Sequence, residues 1–377
     1  MNRPVRLLFT IDSLGFGGAE RQLVELVKGL IHEEGYEIHI VCLLKTDEGY
    51  MGLVSSLGLH IHYIERSFKY DLLGLVIAVT RYIRTHRIDL VHTFMTLGSL
   101  VGCLAAKLTS RPVVCSAIRD GKDQSLRAKY SKQFLAKIAD RFVANSRAGF
   151  ANRFKKIRPH FRVVYNGIDL PRFSEKAESG QILREDLKLI DKGPVIGMVG
   201  SLSRNKDQGT LLRAAPRVLA SFPDAIFLLV GDGERRSSLE ALATEIGIRQ
   251  NVIFTGFRRD VDQLYSLMDV CVLLTNNRIH LEGISNALTE AMAMSLPVIA
   301  SAGGGTDELI QHEENGLIVE PHNPEKTAAA LLHLLLIPAE ERQRLAASSR
   351  QRVQKLFGLN RYVQEYKTLY IECLTNK

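Results

Sequence analysis

The feature that most limits what this chain can fold into is a strand–helix alternation that runs through once, breaks, and starts again. Short runs rich in Val, Ile and Leu alternate with amphipathic stretches, the pattern of parallel sheets covered by helices on both faces. In the first array Arg6–Ile11 reads as a strand and Ala19–Leu30 as an amphipathic helix. Further strands are expected at Glu37–Leu44, Leu90–Thr93, Val113–Ser116 and Arg141–Ala144. The polar stretch Glu175–Gln181 interrupts the pattern and reads as a linker. The second array follows with strands at Val195–Val199, Ala225–Val230, Val252–Thr255, Val270–Leu274, Pro297–Ala300 and Gly316–Val319. Its first helix, Gln208–Leu219, contains Pro216 at a kink or boundary. At 377 residues the chain is too long for one ordinary core. Two βα arrays in series predict an α/β protein of two Rossmann-like domains facing each other across a cleft, where ligands meet the carboxyl ends of the strands.

Composition narrows the class. Apolar residues make up 46% and charged residues 24%, the balance of a soluble globular enzyme. The longest apolar candidate for a membrane span, Thr93–Ala106, is interrupted by glycine and serine and falls short of the ~18–20 residues a bilayer requires. The N-terminus leads into a strand rather than a signal-peptide hydrophobic region, so a cytoplasmic location is expected. The five cysteines (Cys42, Cys103, Cys115, Cys271 and Cys373) are widely spaced in apolar runs. They read as small buried hydrophobes, with neither a disulfide framework nor a zinc site indicated.

The net charge of +8 is unevenly placed. Residues 119–162 hold thirteen Lys/Arg against three acids, a local excess of +10. Within them Tyr130, Phe134, Ile138 and Phe142 stand at i, i+4 spacing, flanked by Lys129, Lys132, Lys137 and Arg141. Two readings stay open: a surface for an anionic membrane, or a core-facing stripe with a solvated basic side. No binding motif or stacking aromatics accompany the charge, so nucleic acid is not an expected partner.

Three loops carry the chemistry. Ser13–Glu20 follows the first strand, and its Gly17 and Gly18 permit close backbone approach at a helix N-terminus, suiting a diphosphate or an acceptor. It lacks the third glycine of a dinucleotide fingerprint. Gly200–Asp207 follows the first strand of the second array. Its Arg204 and Lys206 suit a shared diphosphate, arginine as a fork and lysine as a point charge. In Glu282–Glu290, two carboxylates bracket a glycine turn and a helix start, the arrangement for a ligand with both hydroxyls and phosphate. No Asp-x-Asp placed to hold a nucleotide-bound cation is recognised, so no metal and no cofactor are expected. Gly303, Gly304 and Gly305 open a further helix, either as a tight turn or as a place for a ligand to approach backbone amides.

Taken in order, these segments resemble glycosyltransferase family 4, a retaining family with the GT-B fold. The resemblance rests on Gly17-Gly18-Ala19-Glu20-Arg21, Val164–Asp169, Gly200–Asp207, Val230–Glu234, Phe254–Phe257, Glu282-Gly283 through Glu290–Ala293, and Gly304–Leu309. It implies that Arg204 and Lys206 hold the donor diphosphate and that Glu290 binds the ribose. It also implies that Gly283, Ile284, Ser285 and Asn286 hold phosphate and sugar, that Glu282 contacts the sugar, and that Phe257 and Arg258 border the base. The last helix, Arg361–Cys373, would cross back to the first domain. The domains would then comprise residues 1–180 with 359–377, and 181–358.

Many family members carry a histidine where Arg119 stands here. Arginine cannot act as a general base near neutral pH, so orienting the acceptor or steadying phosphate charge is its expected role. His92 is a second cleft candidate, or else a strand-end histidine satisfied by backbone. The expected activity is retaining transfer of a sugar from a nucleoside-diphosphate donor to a glycan or lipid-linked acceptor in surface polysaccharide or lipopolysaccharide assembly. The enzyme would be peripheral on the inner face of the cytoplasmic membrane. A nucleotide-sugar epimerase and a non-catalytic nucleotide-sugar binding protein are the alternatives.

Overall fold

The structure, a computed structural model, describes residues 3–46, 48–64, 68, 71–123, 125–173, 180–189 and 192–375. Along the chain run β1 (Val5–Ile11), α1 (Gly18–Ile31), β2 (Tyr36–Cys42), α2 (Met51–Ser56), β3 (Ile61–Tyr63), α3 (Leu72–Thr85) and β4 (Leu90–Phe94). Next come α4 (Thr96–Leu108), β5 (Val113–Ile118), α5 (Leu126–Ile138), β6 (Arg141–Ala144), α6 (Arg147–Ala151), β7 (Phe161–Val163) and α7 (Gly180–Asp186). The second array is β8 (Val195–Val199), α8 (Gln208–Leu219), β9 (Ile226–Val230), α9 (Arg236–Glu245), β10 (Val252–Gly256), α10 (Val261–Tyr265) and β11 (Val270–Leu273). It continues with α11 (Asn286–Ala293), β12 (Val298–Ser301), α12 (Thr306–Leu309), β13 (Leu317–Val319), α13 (Pro324–Leu336), α14 (Ala339–Phe357) and α15 (Leu359–Thr375).

The chain divides into two compact units, residues 1–167 with 358–377, and residues 168–357. Both sheets are parallel. The first has the order β3-β2-β1-β4-β5-β6-β7 and the second β10-β9-β8-β11-β12-β13. In each, the strand order reverses beside the first strand, between β1 and β4 and between β8 and β11. In open α/β sheets the loops leaving such strands diverge at the carboxyl edge, where ligands bind. The strands β3 and β7 are absent from the sequence reading: each has three residues with a polar one, His62 or Arg162, in the middle, so neither leaves an apolar run like that of β13.

Alternation along β1 sends Leu7, Phe9 and Ile11 to one side of the first sheet and Leu8 to the other. The first side packs on α1, through Leu23, Val24, Val27 and Leu30, and on α15, through Tyr362, Val363, Tyr366 and Leu369. The opposite side packs on α3, α4 and α5. All five cysteines are buried and unbridged.

The linker expectation needs correction. Residues 175–179 lie outside the described residues, while Gly180 already starts α7. The boundary between units comes earlier, at Gly167–Ile168. The reason lies in a 3-10 turn at Pro171–Phe173. Phe173 is fully buried edge-on to Tyr265, and Arg172 pairs with Asp262 at 2.9 Å, so the turn belongs to the second unit.

His92 on β4 also differs from its cleft reading. It is fully buried, with Nδ1 2.7 Å from the Tyr370 hydroxyl and Nε2 2.8 Å from Ser116 Oγ. Ser116 Oγ in turn lies 2.9 Å from the Tyr366 hydroxyl. This polar chain is satisfied internally and fastens α15 to β4 and β5. Burial, aided by the positive charge of Arg119, pushes the His92 pKa well below its ordinary value. The half-buried His39 shifts in the same direction, burial being the main cause. In the unfolded chain both protonate near about pH 6.5. Stability is therefore complete above that pH and declines as pH falls below it toward the folded values. The slope is at most about 1.4 kcal/mol per pH unit for each histidine. Denaturant melts at pH 7.5, 6.5 and 5.5 should show this decline, and His92→Asn should flatten it.

Candidate active site

The second unit builds its site from the two loops that leave β8 and β11 on either side of the strand reversal. The β8 loop is laid backbone-to-backbone on the β9 loop. Leu202 N–H donates to the Asp232 carbonyl and Arg235 N–H to the Leu202 carbonyl, both at 2.9 Å. This contact explains Gly231 and Gly233: a Cβ would stand 2.1 Å from the Gly200 carbonyl oxygen and 2.6 Å from that of Leu202, respectively. Arg204 is exposed. Its N–H donates to Glu234 Oε1 at 3.1 Å, and its carbonyl accepts from Asn276 Nδ2 at 3.1 Å. Lys206 forms an antiparallel bridge with Thr275, and Asp207 N–H donates to the Leu274 carbonyl at 2.9 Å. The two loops are thus hydrogen-bonded to each other.

That pairing brings Lys206 Nζ to 2.5 Å from Glu282 Oε1, with the side chains only 15% and 12% exposed. The same oxygen accepts from Thr275 Oγ1 at 3.3 Å and lies 3.5 Å from His280 Nε2. Burial alone would raise the Glu282 carboxyl. The adjacent Lys206 charge and the His280 hydrogen bond outweigh it and hold the group well below the usual carboxylate range. Beside this cluster Asp207 caps α8, accepting from Thr210 N–H, and pairs with His322 Nδ1 at 2.8 Å. Sequence reading missed Thr275, His280 and His322, because no spacing signals a contact made by folding.

The glycine run is decided by packing. Gly305 N–H donates to the Glu282 carbonyl at 2.9 Å. A Cβ at Gly304 would stand 2.3 Å from that carbonyl oxygen, and one at Gly305 would stand 2.4 Å from the oxygen of Gly283. These glycines support the loop that presents Glu282. Gly283, Ile284 and Ser285 are buried and Asn286 partly so. Ser285 Oγ caps α11 by accepting from Leu288 N–H at 3.4 Å. The positive end of the helix therefore lies at the loop carrying Glu282. Glu290 is buried on α11, near enough to Cys271 for its charge to add to burial in raising that thiol, to about 12.

Phe257 is half-exposed and presents an aromatic face. Arg258 is paired locally, its Nε and an Nη binding the Asp260 carboxylate at 2.8 and 2.5 Å. The chain does contain one Asp-x-Asp, Asp260-Val261-Asp262, which the sequence reading passed over. Asp260 is held by Arg258 and Asp262 by Arg172. Among the described residues no cluster of His, Cys, Asp and Glu is arranged to hold a metal.

In the first unit Glu20 is buried against Gly17, where a Cβ would stand 2.2 Å from its Oε2. Burial foremost raises the Glu20 carboxyl. Its own N–H opposes this, Asp12 raises it further, and Arg119 lowers it. Arg119 thus shares one electrostatic neighbourhood with the Gly17–Gly18 loop. Its guanidinium carbon lies 5.5 Å from the centre of the Phe94 ring. Both terminal nitrogens are buried and make no hydrogen bond of good geometry among the described residues.

The basic segment is rearranged relative to expectation. Phe142 is a core residue of β6, and the exposed apolar face of α5 is Leu126, Tyr130 and Phe134, at 69, 64 and 42% exposure. Exposed Arg127, Lys129 and Lys137 share the helix with them. Lys132 and Arg153 are buried instead in a four-charge cage with Asp120 and Asp123, with ion pairs of 2.7–3.0 Å. The cage holds the segment that follows Arg119. Among the described residues no helix is long and apolar enough to cross a membrane.

The fold has counterparts among known proteins. The fold is that of HepE from Anabaena in complex with UDP, with a TM-score of 0.84 at 22% identity over 98% of this chain and 100% of that one. A glycosyltransferase from Rickettsia africae ESF-5 superposes with a TM-score of 0.85 at 21% identity over the whole of both chains. The architecture is therefore the two-domain GT-B fold. The family model for glycosyltransferase family 4 matches residues 16–172, and that for glycosyl transferases group 1 matches residues 180–352. The chain belongs to glycosyltransferase family 4. One relative is the Escherichia coli UDP-Gal:alpha-D-GlcNAc-diphosphoundecaprenol alpha-1,3-galactosyltransferase, 25% identical over 80% of each chain. Another is the Corynebacterium glutamicum GDP-mannose-dependent monoacylated alpha-(1-6)-phosphatidylinositol monomannoside mannosyltransferase, 33% identical over 54% of each, so that just over half of its length is spanned.

Gly305→Ala must displace the backbone that carries Glu282, and is expected to destabilise the protein by about 1–3 kcal/mol. Gly52 on α2 has open space around its Cβ position, so Gly52→Ala should be neutral or stabilise by up to about 1 kcal/mol. Thermal melts of the two variants check the contrast.

Proposed function

We propose that this chain is a retaining, metal-independent glycosyltransferase that moves a sugar from a nucleoside-diphosphate donor to a hydroxyl of a lipid-linked acceptor. The observation that carries the reading is the Lys206–Glu282 contact at 2.5 Å, with Arg204 on the same loop. It sets cations for a diphosphate beside a carboxylate for sugar hydroxyls at one sheet edge. The UDP complex of HepE supports a nucleotide donor, and the diphosphoundecaprenol in the Escherichia coli relative's name supports a lipid-linked acceptor.

In this reading Lys206, Arg204 and the amino end of α11 take the diphosphate. Glu282 accepts hydrogen bonds from the sugar, Glu290 from the ribose, and Phe257 covers the base. The bond between the anomeric carbon and the β-phosphate oxygen breaks as the acceptor oxygen bonds on the same face, retaining configuration. The departing diphosphate takes the acceptor proton. Each cation contributes roughly 4 kcal/mol of attraction at ~4 Å and an effective dielectric near 20, before desolvation, so a bound metal is not required. Arg119, unable to serve as a base, orients the acceptor beside the Gly17–Gly18 loop.

The α5 face of Leu126, Tyr130 and Phe134, with its flanking cations, would rest on the anionic inner face of the cytoplasmic membrane.

A thermal-shift panel of nucleotide sugars should identify the donor, since a ligand at 100 times its Kd adds about 2.7 kcal/mol. With that donor, Arg204→Ala and Glu282→Ala should each lower turnover about 10²–10³-fold with unchanged circular dichroism. Near-normal transfer by both would refute the assignment, and transfer abolished by chelation would refute metal independence. Conversion of donor to an epimer without acceptor would identify an epimerase instead. Separately, the protein should co-sediment with phosphatidylglycerol vesicles at low salt but not with phosphatidylcholine vesicles, and Tyr130→Asp with Phe134→Asp should abolish this.

A further inference from the structure

Lys206 cannot serve a diphosphate and Glu282 at full strength together. Its Nζ lies 2.5 Å from Glu282 Oε1, and both side chains are largely withdrawn from water. Salt therefore screens the pair little, and leaving either member alone is unfavourable. The remaining contacts do not replace the lysine. Thr275 Oγ1 at 3.3 Å and His280 Nε2 at 3.5 Å converge on that same oxygen, and both are longer. Drawing Lys206 toward a diphosphate thus removes the principal counterion of a carboxylate held strongly ionised.

Ligands differ in whether they make good that loss. A bare nucleoside diphosphate offers oxygens to Lys206 but no hydroxyl from a sugar to Glu282, and brings further negative charge beside it. A nucleoside-diphosphate sugar offers oxygens to the lysine and hydroxyl donors to the carboxylate. We propose that the Lys206–Glu282 ion pair is a specificity device that discriminates the sugar-loaded donor from the spent nucleoside diphosphate. It disfavours retention of the product by making Glu282 a competitor for the cation the product needs. The inference rests on the donor-site reading above and deepens it. Specificity arises here from an unfavourable element aimed at the wrong ligand, as well as from contacts to the right one.

The test is titration calorimetry of UDP and GDP, alongside UDP-glucose and GDP-mannose, with wild type and Glu282→Gln. The substitution keeps the shape and removes the charge that holds Lys206. The nucleoside diphosphate that wild type binds should bind Glu282→Gln at least about tenfold tighter. The matching sugar nucleotide should gain less or lose affinity, so the ratio between the two collapses. In a Lys206→Met background the gain should vanish, because the lysine is what Glu282 withholds. Lys206→Gln replaces Lys206→Met if the latter does not fold. Unchanged or weaker nucleoside-diphosphate binding by Glu282→Gln would overturn the inference while leaving the donor site standing. So would an equal gain without Lys206, which would indicate a general effect of charge. Failure of every variant and of wild type to bind any of the four ligands would overturn the donor-site reading, and the inference with it.

Discussion

The ion pair between Lys206 and Glu282 is the interaction that ties together the two loops of the candidate site. It joins two loops far apart in sequence, and it exists because β8 and β11 lie side by side where the strand order reverses. Neither loop holds its shape alone. The β8 loop is stacked on Gly231–Gly233, and the Glu282 loop on Gly304–Gly305, with no room for a Cβ at any of the four contacts. A charge pair placed on backbone-to-backbone packing cannot relax by swinging a loop aside. The position of the pair is thus set by the fold.

The first unit rests on a different kind of constraint. Its sheet is buried on both faces, and α15 completes one of them with tyrosines whose hydroxyls need partners. His92 and Ser116 supply these for Tyr370 and Tyr366 and the Gln22 carbonyl for Tyr362, so a polar chain runs through a largely apolar layer without an unsatisfied group at the imidazole. The charges nearer the loops are less evenly matched. Arg119 has buried nitrogens without good partners, and Glu20 is a buried carboxyl with a raised pKa. A buried cation is unfavourable in a core without compensation, and Arg119 is compensated in part by the Phe94 ring and by the neighbouring Glu20 carboxyl.

Much of the fold was legible because parallel strands buried on both faces leave nearly unbroken apolar runs. The runs at Arg6–Ile11, Val195–Val199 and Val270–Leu274 lie on β1, β8 and β11, within a residue at each end. Legibility failed where a short strand carries a polar residue in its middle, as His62 in β3 and Arg162 in β7. It also failed where a side chain's partner is distant. Lys132 and Arg153 read as surface charge until Asp120 and Asp123 enclose them. Phe142 matched a helical stripe by spacing alone, although the chain leaves the helix at Ile138 and Phe142 enters the core on a strand.

The order of apolar runs determined by itself that the chain forms two parallel sheets, while its ordered motifs resemble glycosyltransferase family 4, the family its matches assign it to. Periodicity is local and survives without knowledge of neighbours. Tertiary structure alone decided which charges are available. It paired Lys206 with Glu282, enclosed Arg153 between Asp120 and Asp123, and sealed His92 beneath α15. Whether a cation binds a ligand or a neighbour depends on distances between residues tens to hundreds of positions apart, and only folding sets those.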